Sequence, residues 1–385
     1  MKRILAAAVG IALLGLLPLS AGAATLAEAG KSAVLMDVTT GTVLYEHNSH
    51  EALAPASVTK VMTMLLIMEA ADSGKIALTD TVTASEAAAA KGGSQIYLKA
   101  GETMSVSDML KSIAVSSAND CACAMAEHIC GSESAFVEAM NRRAKELGMQ
   151  DTHFVNCTGL DDDDSAKLHR TSAYDIALMS RELLKNHPDI KKYTTIWMDT
   201  VRNGAFGLSN TNKLIRFYPG ATGLKTGYTA GAGYCLSASA QKEGMELIAV
   251  VMGAKTSQAR NAACKELLDY GFANFAVVAP EPEELPQVAV RLGKQTQVPV
   301  KMEETAGMLI EKSQRSGITT EISLEDSVAA PVVRGQTLGS LSVKSGEQTL
   351  RQIPLVAAED VERLSTGDIF LAVLRRAAMA KEGQE

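Results

Sequence analysis

Three short motifs in this sequence combine residue types that can carry out acyl transfer. They are Ser57-Val58-Thr59-Lys60, Ser117-Ala118-Asn119 and Lys225-Thr226-Gly227, in that order along the chain. A serine hydroxyl is a poor nucleophile until a base removes its proton. A lysine can act as that base only if its pKa falls well below the ordinary value near 10.4. The motifs therefore predict covalent catalysis by a serine, with a lysine as its base.

The first motif lies in a sequence context that suits this chemistry. Residues three apart on a helix are neighbours, so Ser57 and Lys60 can touch. The predicted helix from Val58 to Ala71 is apolar almost all round, which indicates burial on every side. Burial lowers a lysine pKa, and a helix N-terminus favours a developing oxyanion. The alternative is a helix-capping serine with a lysine reaching solvent, and the two companion motifs argue against it.

Each motif is weak when it is read alone, because similar copies occur elsewhere. A second S-x-x-K occurs at Ser239-Ala240-Gln241-Lys242, late in a strand-like run that enters a turn. Lys344-Ser345-Gly346 resembles the third motif but is predicted to be a hairpin turn. The chain has one S-x-N, and it lies between Ser57 and Lys225. The sequence context of the motifs and their order along the chain therefore favour the set that begins at Ser57 over these copies.

The second and third motifs supply groups that bind a substrate. Asn119 can donate to a substrate carbonyl and Ser117 can relay a proton to a departing amine; the alternative for both is a helix N-cap. Lys225 and Thr226, with an open backbone on an edge strand, can hold a peptide that ends in a carboxylate. A turn before a strand is the alternative for this third motif.

The elements around these motifs predict an α+β fold, with an antiparallel sheet flanked by helices and a helical subdomain. The strand-like runs, which lie at both ends of this region, are Ser32–Val38, Thr42–Tyr45, Gly233–Ala240 and Glu246–Met252. The helical patterns, besides the buried helix, are Met109–Cys130, Ser134–Leu147, Ala173–Lys185 and Asn261–Phe272.

A change in composition marks the end of this region. Residues 280–286 are rich in Pro and Glu and are predicted to be a linker. Short alternating runs such as Gln287–Leu292 and Gln297–Met302 predict a small all-β domain. A last helix, Asp368–Lys381, carries an apolar face, which favours either an interfacial membrane helix or a helix packed on the protein. The predicted boundaries are 24–277 for the first domain, 278–357 for the β domain and 358–385 for the tail.

The N-terminus indicates export. Lys2 and Arg3 precede an uncharged run from Ile4 to Leu19, which is typical of a signal peptide spanning residues 1–23. A transmembrane anchor is the alternative, but the run is shorter than the roughly 20 residues that a membrane span needs. The net charge of −7 lacks the basic footprint of a nucleic-acid-binding protein.

Other candidate ligands give no metal or cofactor prediction. The six cysteines are predicted to be structural thiols, with disulfides as the alternative in an exported protein. Cys121 and Cys123 lack a second ligand pair at zinc-site spacing. The acidic run from Asp161 to Asp164 lacks EF-hand spacing and is predicted to be a solvated loop.

The motif set, taken with its neighbouring residues, resembles a known family. Ala54-Pro55-Ala56 precedes the first motif, and His153-Phe154-Val155-Asn156 and Thr158-Gly159-Leu160 lie between the second and third. The sequence thus resembles the serine-type D-alanyl-D-alanine carboxypeptidases, which are low-molecular-mass penicillin-binding proteins. The resemblance covers about Ala29 to Phe275, and the β domain and tail match the family's layout. Ala118 and Cys157 stand where the family commonly has Gly and Pro.

The resemblance implies a β-lactamase/transpeptidase-like fold and removal of the terminal D-Ala from peptidoglycan stem peptides, with β-lactams as covalent inhibitors. It implies no cofactor. The enzyme would act outside the cytoplasm, at the cell wall or periplasmic face, and its tail could attach it peripherally to a membrane. The implied roles are Ser57 as nucleophile, Lys60 as base, Ser117 in proton transfer, Asn119, Lys225, Thr226 and Gly227 in substrate binding, and the backbone N–H groups of Ser57 and Tyr228 as oxyanion hole.

Several alternatives share part of this chemistry. A DD-endopeptidase or transpeptidase would use the same acyl-enzyme. A β-lactamase would need a deacylating glutamate, and no E-x-x-x-N follows Asn119 at the required place. An inactive wall-binding scaffold would have no need for a nucleophile and a base together.

Overall fold

The computed structural model describes residues 26–162, 164–279, 284–303 and 307–371. The helices of this part are α1 Lys60–Asp72, α2 Glu86–Ala89, α3 Val106–Ser116, α4 Asn119–Cys130, α5 Glu133–Glu146, α6 Ala173–Asn186, α7 Lys191–Thr194, α8 Leu214–Phe217 and α9 Ser257–Asn274. The strands are β1 Ser32–Asp37, β2 Val43–His47, β3 Thr81–Thr83, β4 Thr103–Ser105, β5 Met198–Val201, β6 Phe206–Ser209, β7 Ala221–Thr229, β8 Gly233–Lys242, β9 Met245–Ala254, β10 Phe275–Val278, β11 Val288–Arg291, β12 Gln297–Val298, β13 Val300–Met302, β14 Met308–Glu311, β15 Ile318–Leu324, β16 Ser327–Ala329, β17 Thr337–Ser345 and β18 Gln348–Ala357.

The main sheet is antiparallel, with five strands in the order β2-β1-β9-β8-β7. Alternate residues of β9 enter two cores because successive side chains of a strand point to opposite faces. Ile248 and Val250 pack with the buried residues of α1 and α6. Leu247 and Ala249 pack on the other face, with the buried leucines of α9. The predicted α+β class is confirmed.

A break between α3 and α4 corrects one prediction. The sequence predicted a continuous helical stretch from Met109 to Cys130, but the chain leaves the helix at Ser117, whose φ is +64°. The carboxylate of Asp120 then accepts the backbone N–H groups of Ile96 and Leu98, which holds α4 against that segment. The break places Ser117 at the junction between α3 and α4, with Asn119 as the first residue of α4.

Small sheets form the C-terminal region, as the alternating runs predicted. A four-stranded sheet in the order β13-β18-β17-β15 packs with the strands β12-β11-β16 around a separate apolar core. Lys344-Ser345-Gly346 lies at the turn between β17 and β18, as predicted. Residues 366–371 begin a helix, but most of the predicted helix Asp368–Lys381, like the predicted signal peptide, lies outside the described residues. Among described helices, none has the length and apolar character to span a bilayer.

Candidate active site

Ser57 and Lys60 lie in contact at the start of the buried helix. Ser57 is half-buried in a 3-10 turn, Ala56–Thr59, and α1 begins directly after it at Lys60. Lys60 Nζ lies 3.0 Å from Ser57 Oγ and 2.8 Å from the carbonyl oxygen of Thr158. Lys60 is fully buried, and this burial lowers its pKa to about 7. A neutral amine beside the hydroxyl is therefore accessible near neutral pH, as a general base requires.

A chain of hydrogen bonds fixes the turn that carries Ser57. Ala56 has a φ of +49°, a left-handed conformation that few alanines adopt. Thr59 Oγ1 donates to the Ala56 carbonyl oxygen at 2.8 Å and lies 2.8 Å from His169 Nε2. Val155 N–H donates to His169 Nδ1, so the ring proton is on Nε2 and points to Thr59. Burial lowers the pKa of His169 to about 4, which keeps the ring neutral.

The loop that binds Lys60 is shaped by its own side chains. Asn156 Oδ1 accepts the backbone N–H groups of Thr158 and Gly159 at 3.1 and 2.7 Å. Gly159 has a φ of +82°. A Cβ atom there would lie 1.8 Å from the Ala56 carbonyl oxygen, so only glycine fits. The loop therefore contacts the Ser57 turn through backbone atoms.

Glu133, at the start of α5, also holds the loop that contains Cys157 and Thr158. Its Oε1 accepts the backbone N–H of Cys157 at 3.3 Å and contacts Cys157 Sγ at 3.2 Å. Its Oε2 pairs with Lys91 Nζ at 2.6 Å. The Cys157 carbonyl oxygen accepts from Thr63 Oγ1 of α1 at 2.7 Å. Sequence reasoning missed Glu133 and His169, because neither belongs to a motif with characteristic spacing.

Ser117 and Asn119 present buried polar atoms without a partner. Among the described residues, Ser117 Oγ and Asn119 Oδ1 are two of the four buried side-chain atoms that lack a hydrogen bond. Asn119 Nδ2 is occupied, because it donates to the Gly92 carbonyl oxygen at 2.7 Å. An unsatisfied buried polar group is costly. Both atoms are therefore available to a ligand.

The third motif lies within β7, at the edge of the main sheet as predicted, and the glycine-rich residues after β7 lead into β8. Lys225 is buried, and its Nζ donates to the Thr226 carbonyl oxygen at 2.9 Å. Burial, with the nearby charges of Lys60 and Arg260, lowers the pKa of Lys225 well below its ordinary value. Thr226 Oγ1 contacts Thr211 Oγ1 at 2.6 Å. A free carboxylate would be stabilised beside these groups.

Gly227 brings β7 against the turn of the nucleophile. A Cβ atom at Gly227 would lie 2.7 Å from the Pro55 carbonyl oxygen and 3.0 Å from the Val58 nitrogen. The next residue, Tyr228, is exposed and stacks on Tyr234 with 4.2 Å between ring centroids. The structure thus brings the third predicted motif against the turn that carries Ser57.

The second S-x-x-K copy is not assembled for catalysis. Ser239 is fully buried in β8, where its Oγ accepts a hydrogen bond from Thr222 Oγ1 at 2.8 Å. Lys242 Nζ lies 3.1 Å from the hydroxyl of Tyr218 and over that ring. The two side chains therefore have different partners, as their place in a strand indicated.

The cysteines and the acidic residues are the remaining candidate metal ligands. The six cysteines are unpaired, and all but Cys130 are buried. Asp161 and Asp162 are exposed, as predicted for a solvated loop, whereas Asp163 of the same run lies outside the described residues and Asp164 begins a 3-10 turn, Asp164–Leu168. Among the described residues, Glu69, Glu182 and His187 are the group whose ligand atoms lie close enough for a metal. The Arg143 guanidinium bonds both carboxylates of this group, so each already has a cationic partner.

Family models, curated relatives and a solved structure all match this chain. Residues 20–256 match the family model for D-alanyl-D-alanine carboxypeptidase, and residues 279–363 match that for the C-terminal domain of penicillin-binding protein 5. The D-alanyl-D-alanine carboxypeptidase DacF of Bacillus subtilis is 46% identical over 357 residues, covering 91% of this chain and 90% of the relative. DacC of Escherichia coli is 35% identical, covering 86% and 83%. Penicillin-binding protein 5 of Haemophilus influenzae superimposes with a TM-score of 0.75 at 30% identity, covering 91% of this chain and all of that one.

Proposed function

This chain belongs to the D-alanyl-D-alanine carboxypeptidase family, and on that premise we propose how its residues divide the reaction. The protein is a serine-type D-Ala-D-Ala carboxypeptidase that acts on peptidoglycan stem peptides. Ser57 Oγ attacks the carbonyl carbon of the bond between the two D-alanines, while Lys60 Nζ accepts the hydroxyl proton. The contact of 3.0 Å between these atoms, with Lys60 fully buried, is the observation that carries the proposal.

The remaining groups of the cleft complete the first half-reaction. The backbone N–H groups of Ser57 and Tyr228 stabilise the oxyanion of the tetrahedral intermediate. Ser117 Oγ relays the proton from Lys60 Nζ to the departing amine, which leaves Lys60 neutral again, and Asn119 binds the substrate backbone. Collapse of the intermediate breaks the peptide bond, releases D-alanine and leaves the shortened peptide as an ester on Ser57. A water that gives its proton to Lys60 then hydrolyses the ester.

The terminal carboxylate selects a substrate with a free C-terminus. Lys225 and Thr226 bind it, and the peptide pairs with the edge of β7 as an added strand beside Gly227. Because Lys225 is buried and its pKa is depressed, an arriving carboxylate favours the protonated ammonium and so strengthens its own binding. A peptide with an amidated C-terminus loses this interaction.

The proposal also includes where the enzyme acts and how its chain divides into domains. Residues 1–23 are a signal peptide, and the mature enzyme works outside the cytoplasm, where its wall substrate lies. The domain boundaries are those predicted above, 24–277 and 278–357. Phe370 and Leu371 are exposed where the tail helix begins, which supports contact between the tail and a membrane surface.

Two readouts on the purified protein test the catalytic proposal. One measures D-alanine release from a peptide ending in D-Ala-D-Ala, and the other maps covalent penicillin by mass spectrometry. We expect release, and an adduct on Ser57 that is lost in Ser57→Ala but kept in the control Ser239→Ala. An adduct elsewhere, or undiminished release by Ser57→Ala, would overturn the assignment. Rapid penicillin turnover without D-alanine release would indicate a β-lactamase.

A further inference from the structure

A cavity of about 160 Å³ lies where the C-terminal β region meets the main sheet, apart from the three motifs. Its walls are the turn that joins β8 to β9, the passage from the end of α9 into β10, and the 3-10 turn Lys312–Gly317 that follows β14. Lys242, at the end of β8, lies five residues beyond Ser237, the partner of Lys225 in the sheet. At about 3.3 Å per residue, roughly 16 Å of strand therefore separates the cavity from the third motif.

Three cationic side chains line this cavity. Lys242 Nζ lies 3.1 Å from the hydroxyl of Tyr218 and over the rings of Tyr218 and Phe272. Lys312 Nζ donates to the Phe272 carbonyl oxygen at 2.7 Å. An ammonium group has three N–H donors, so each of these bonds leaves two donors for another acceptor. Arg315 is exposed and forms no hydrogen bond or ion pair with a side chain of the described residues.

Carboxylates of the described residues do not balance these charges. Glu243 also lines the cavity, but it is exposed in the turn between β8 and β9 and forms no salt bridge with the three cations. The cavity wall therefore carries three positive charges and one negative charge. Like charges that converge without a counterion repel one another, so an anion between them would be stabilised.

The rest of the cavity wall is apolar, and it consists of Met245, Phe272, Phe275, Ala276 and Val277. Met245 and Phe275 are buried, and Phe272 is half-buried. An apolar cavity of about 150 Å³ can hold one benzene molecule. The space thus suits a ligand that combines a charged group with an apolar body, because an inorganic anion alone would leave the phenyl rings without contacts.

We propose that this cavity binds an organic anion with one carboxylate and an apolar body the size of a single ring. The carboxylate accepts charge-assisted hydrogen bonds from Lys242, Lys312 and Arg315. The apolar body lies against Phe272 and Phe275, where it is removed from water. Since the walls come from both the main-sheet region and the β region, a bound anion links the two and stabilises the folded chain. The site is separate from the catalytic cleft, so the inference does not depend on the proposed function.

The test uses benzoate as the probe, with benzamide and acetate as the controls. Benzamide keeps the ring without the charge, and acetate keeps the charge without the ring. We expect titration calorimetry on the purified protein to give one benzoate per chain, with an affinity about tenfold higher than that of either control. Benzoate should also raise the thermal midpoint as its concentration increases. No benzoate binding at millimolar concentration, or equal binding of either control, would overturn the proposal.

Two variants show whether the binding takes place in this cavity. Arg315→Gln should lower the affinity for benzoate about fivefold, the modest effect of an ion pair at an exposed position. Glu243→Gln should raise the affinity, because it removes the carboxylate that repels the ligand. Arg334→Gln, which alters an exposed arginine elsewhere in the β region, is the matched control and should leave the affinity unchanged. An unchanged affinity in Arg315→Gln, or the same loss in Arg334→Gln, would contradict the proposal.

Discussion

The α-carbon of Gly159 packs directly against the backbone of Ala56, so closely that a Cβ atom on Gly159 would lie 1.8 Å from the Ala56 carbonyl oxygen. Ala56 immediately precedes Ser57, and Thr158, whose carbonyl oxygen binds Lys60, immediately precedes Gly159. The turn of the nucleophile and the loop that holds the base therefore fix each other through backbone contact. Such contact leaves little room for adjustment, because neither segment can rotate a side chain out of the way.

Gly159→Ala is expected to lower both stability and D-alanine release. The added methyl must push the loop away from Ala56 and so move the Thr158 carbonyl from Lys60. The matched control is Gly148→Ala, because Gly148 has a φ of +75° and nothing within 4 Å of an added Cβ. The control variant carries only the strain of an alanine in the left-handed conformation, about 1–2 kcal/mol. Thermal melts and kcat/KM measure the difference, and equal effects at the two positions would contradict the role of the contact.

The rate of acylation is expected to depend on pH through Lys60. Lys60 must be neutral to accept a proton, and its pKa of about 7 means that this form is lost as the pH falls below 7. The profile of kcat/KM should therefore decline about tenfold per pH unit on the acidic side of a midpoint near 7. Initial rates of acylation by penicillin should show the same decline at acidic pH, and they do not depend on the peptide substrate. A flat profile between pH 5 and 7 would be incompatible with Lys60 as the base.

Ser117→Ala is expected to reduce activity without loss of stability. Its Oγ has no partner in the resting protein, so removal of the hydroxyl breaks no hydrogen bond. Loss of proton relay should lower kcat by about 10²- to 10⁴-fold, the usual range for general acid–base catalysis. Ser112→Ala is the control, since Ser112 is equally buried but its Oγ donates to the Asp108 carbonyl oxygen. The control should lose some stability and keep its activity, and the reverse pattern would argue against a role for Ser117.

Glu133→Gln tests whether the acid behind the loop positions Thr158. The amide loses the ion pair with Lys91 and holds Cys157 more weakly. We expect the loosened loop to admit water to Lys60, which raises its pKa toward the ordinary value and moves the acidic limb of kcat/KM to higher pH. Glu69→Gln, which breaks a similarly exposed pair with Arg143, is the control and should leave the limb in place. A uniform fall in rate with an unmoved limb would indicate a structural role alone.

The parts of the chemistry that depend on neighbours in the chain could be predicted from the residue types and their spacing. The spacing of Ser57 and Lys60, the apolar helix around Lys60 and the antiparallel pairing of β8 with β9 all follow from local rules of period and turn. They were therefore predictable from residue types alone. The choice of Ser57 over Ser239 was also predictable, because a strand does not bring residues three apart to one face.

The distant residues that complete the site could be identified only from the folded chain. Thr158 and His169 lie 98 and 110 positions from the residues they contact, Lys60 and Thr59. Glu133 reaches the loop from another helix, and β7 meets the Ser57 turn as an edge strand. Ser117 leaves its helix in a left-handed conformation where the sequence predicted continuity. Contacts of this kind are set by how helices and sheet pack around a shared core, and packing between distant segments leaves no periodic signal in the chain.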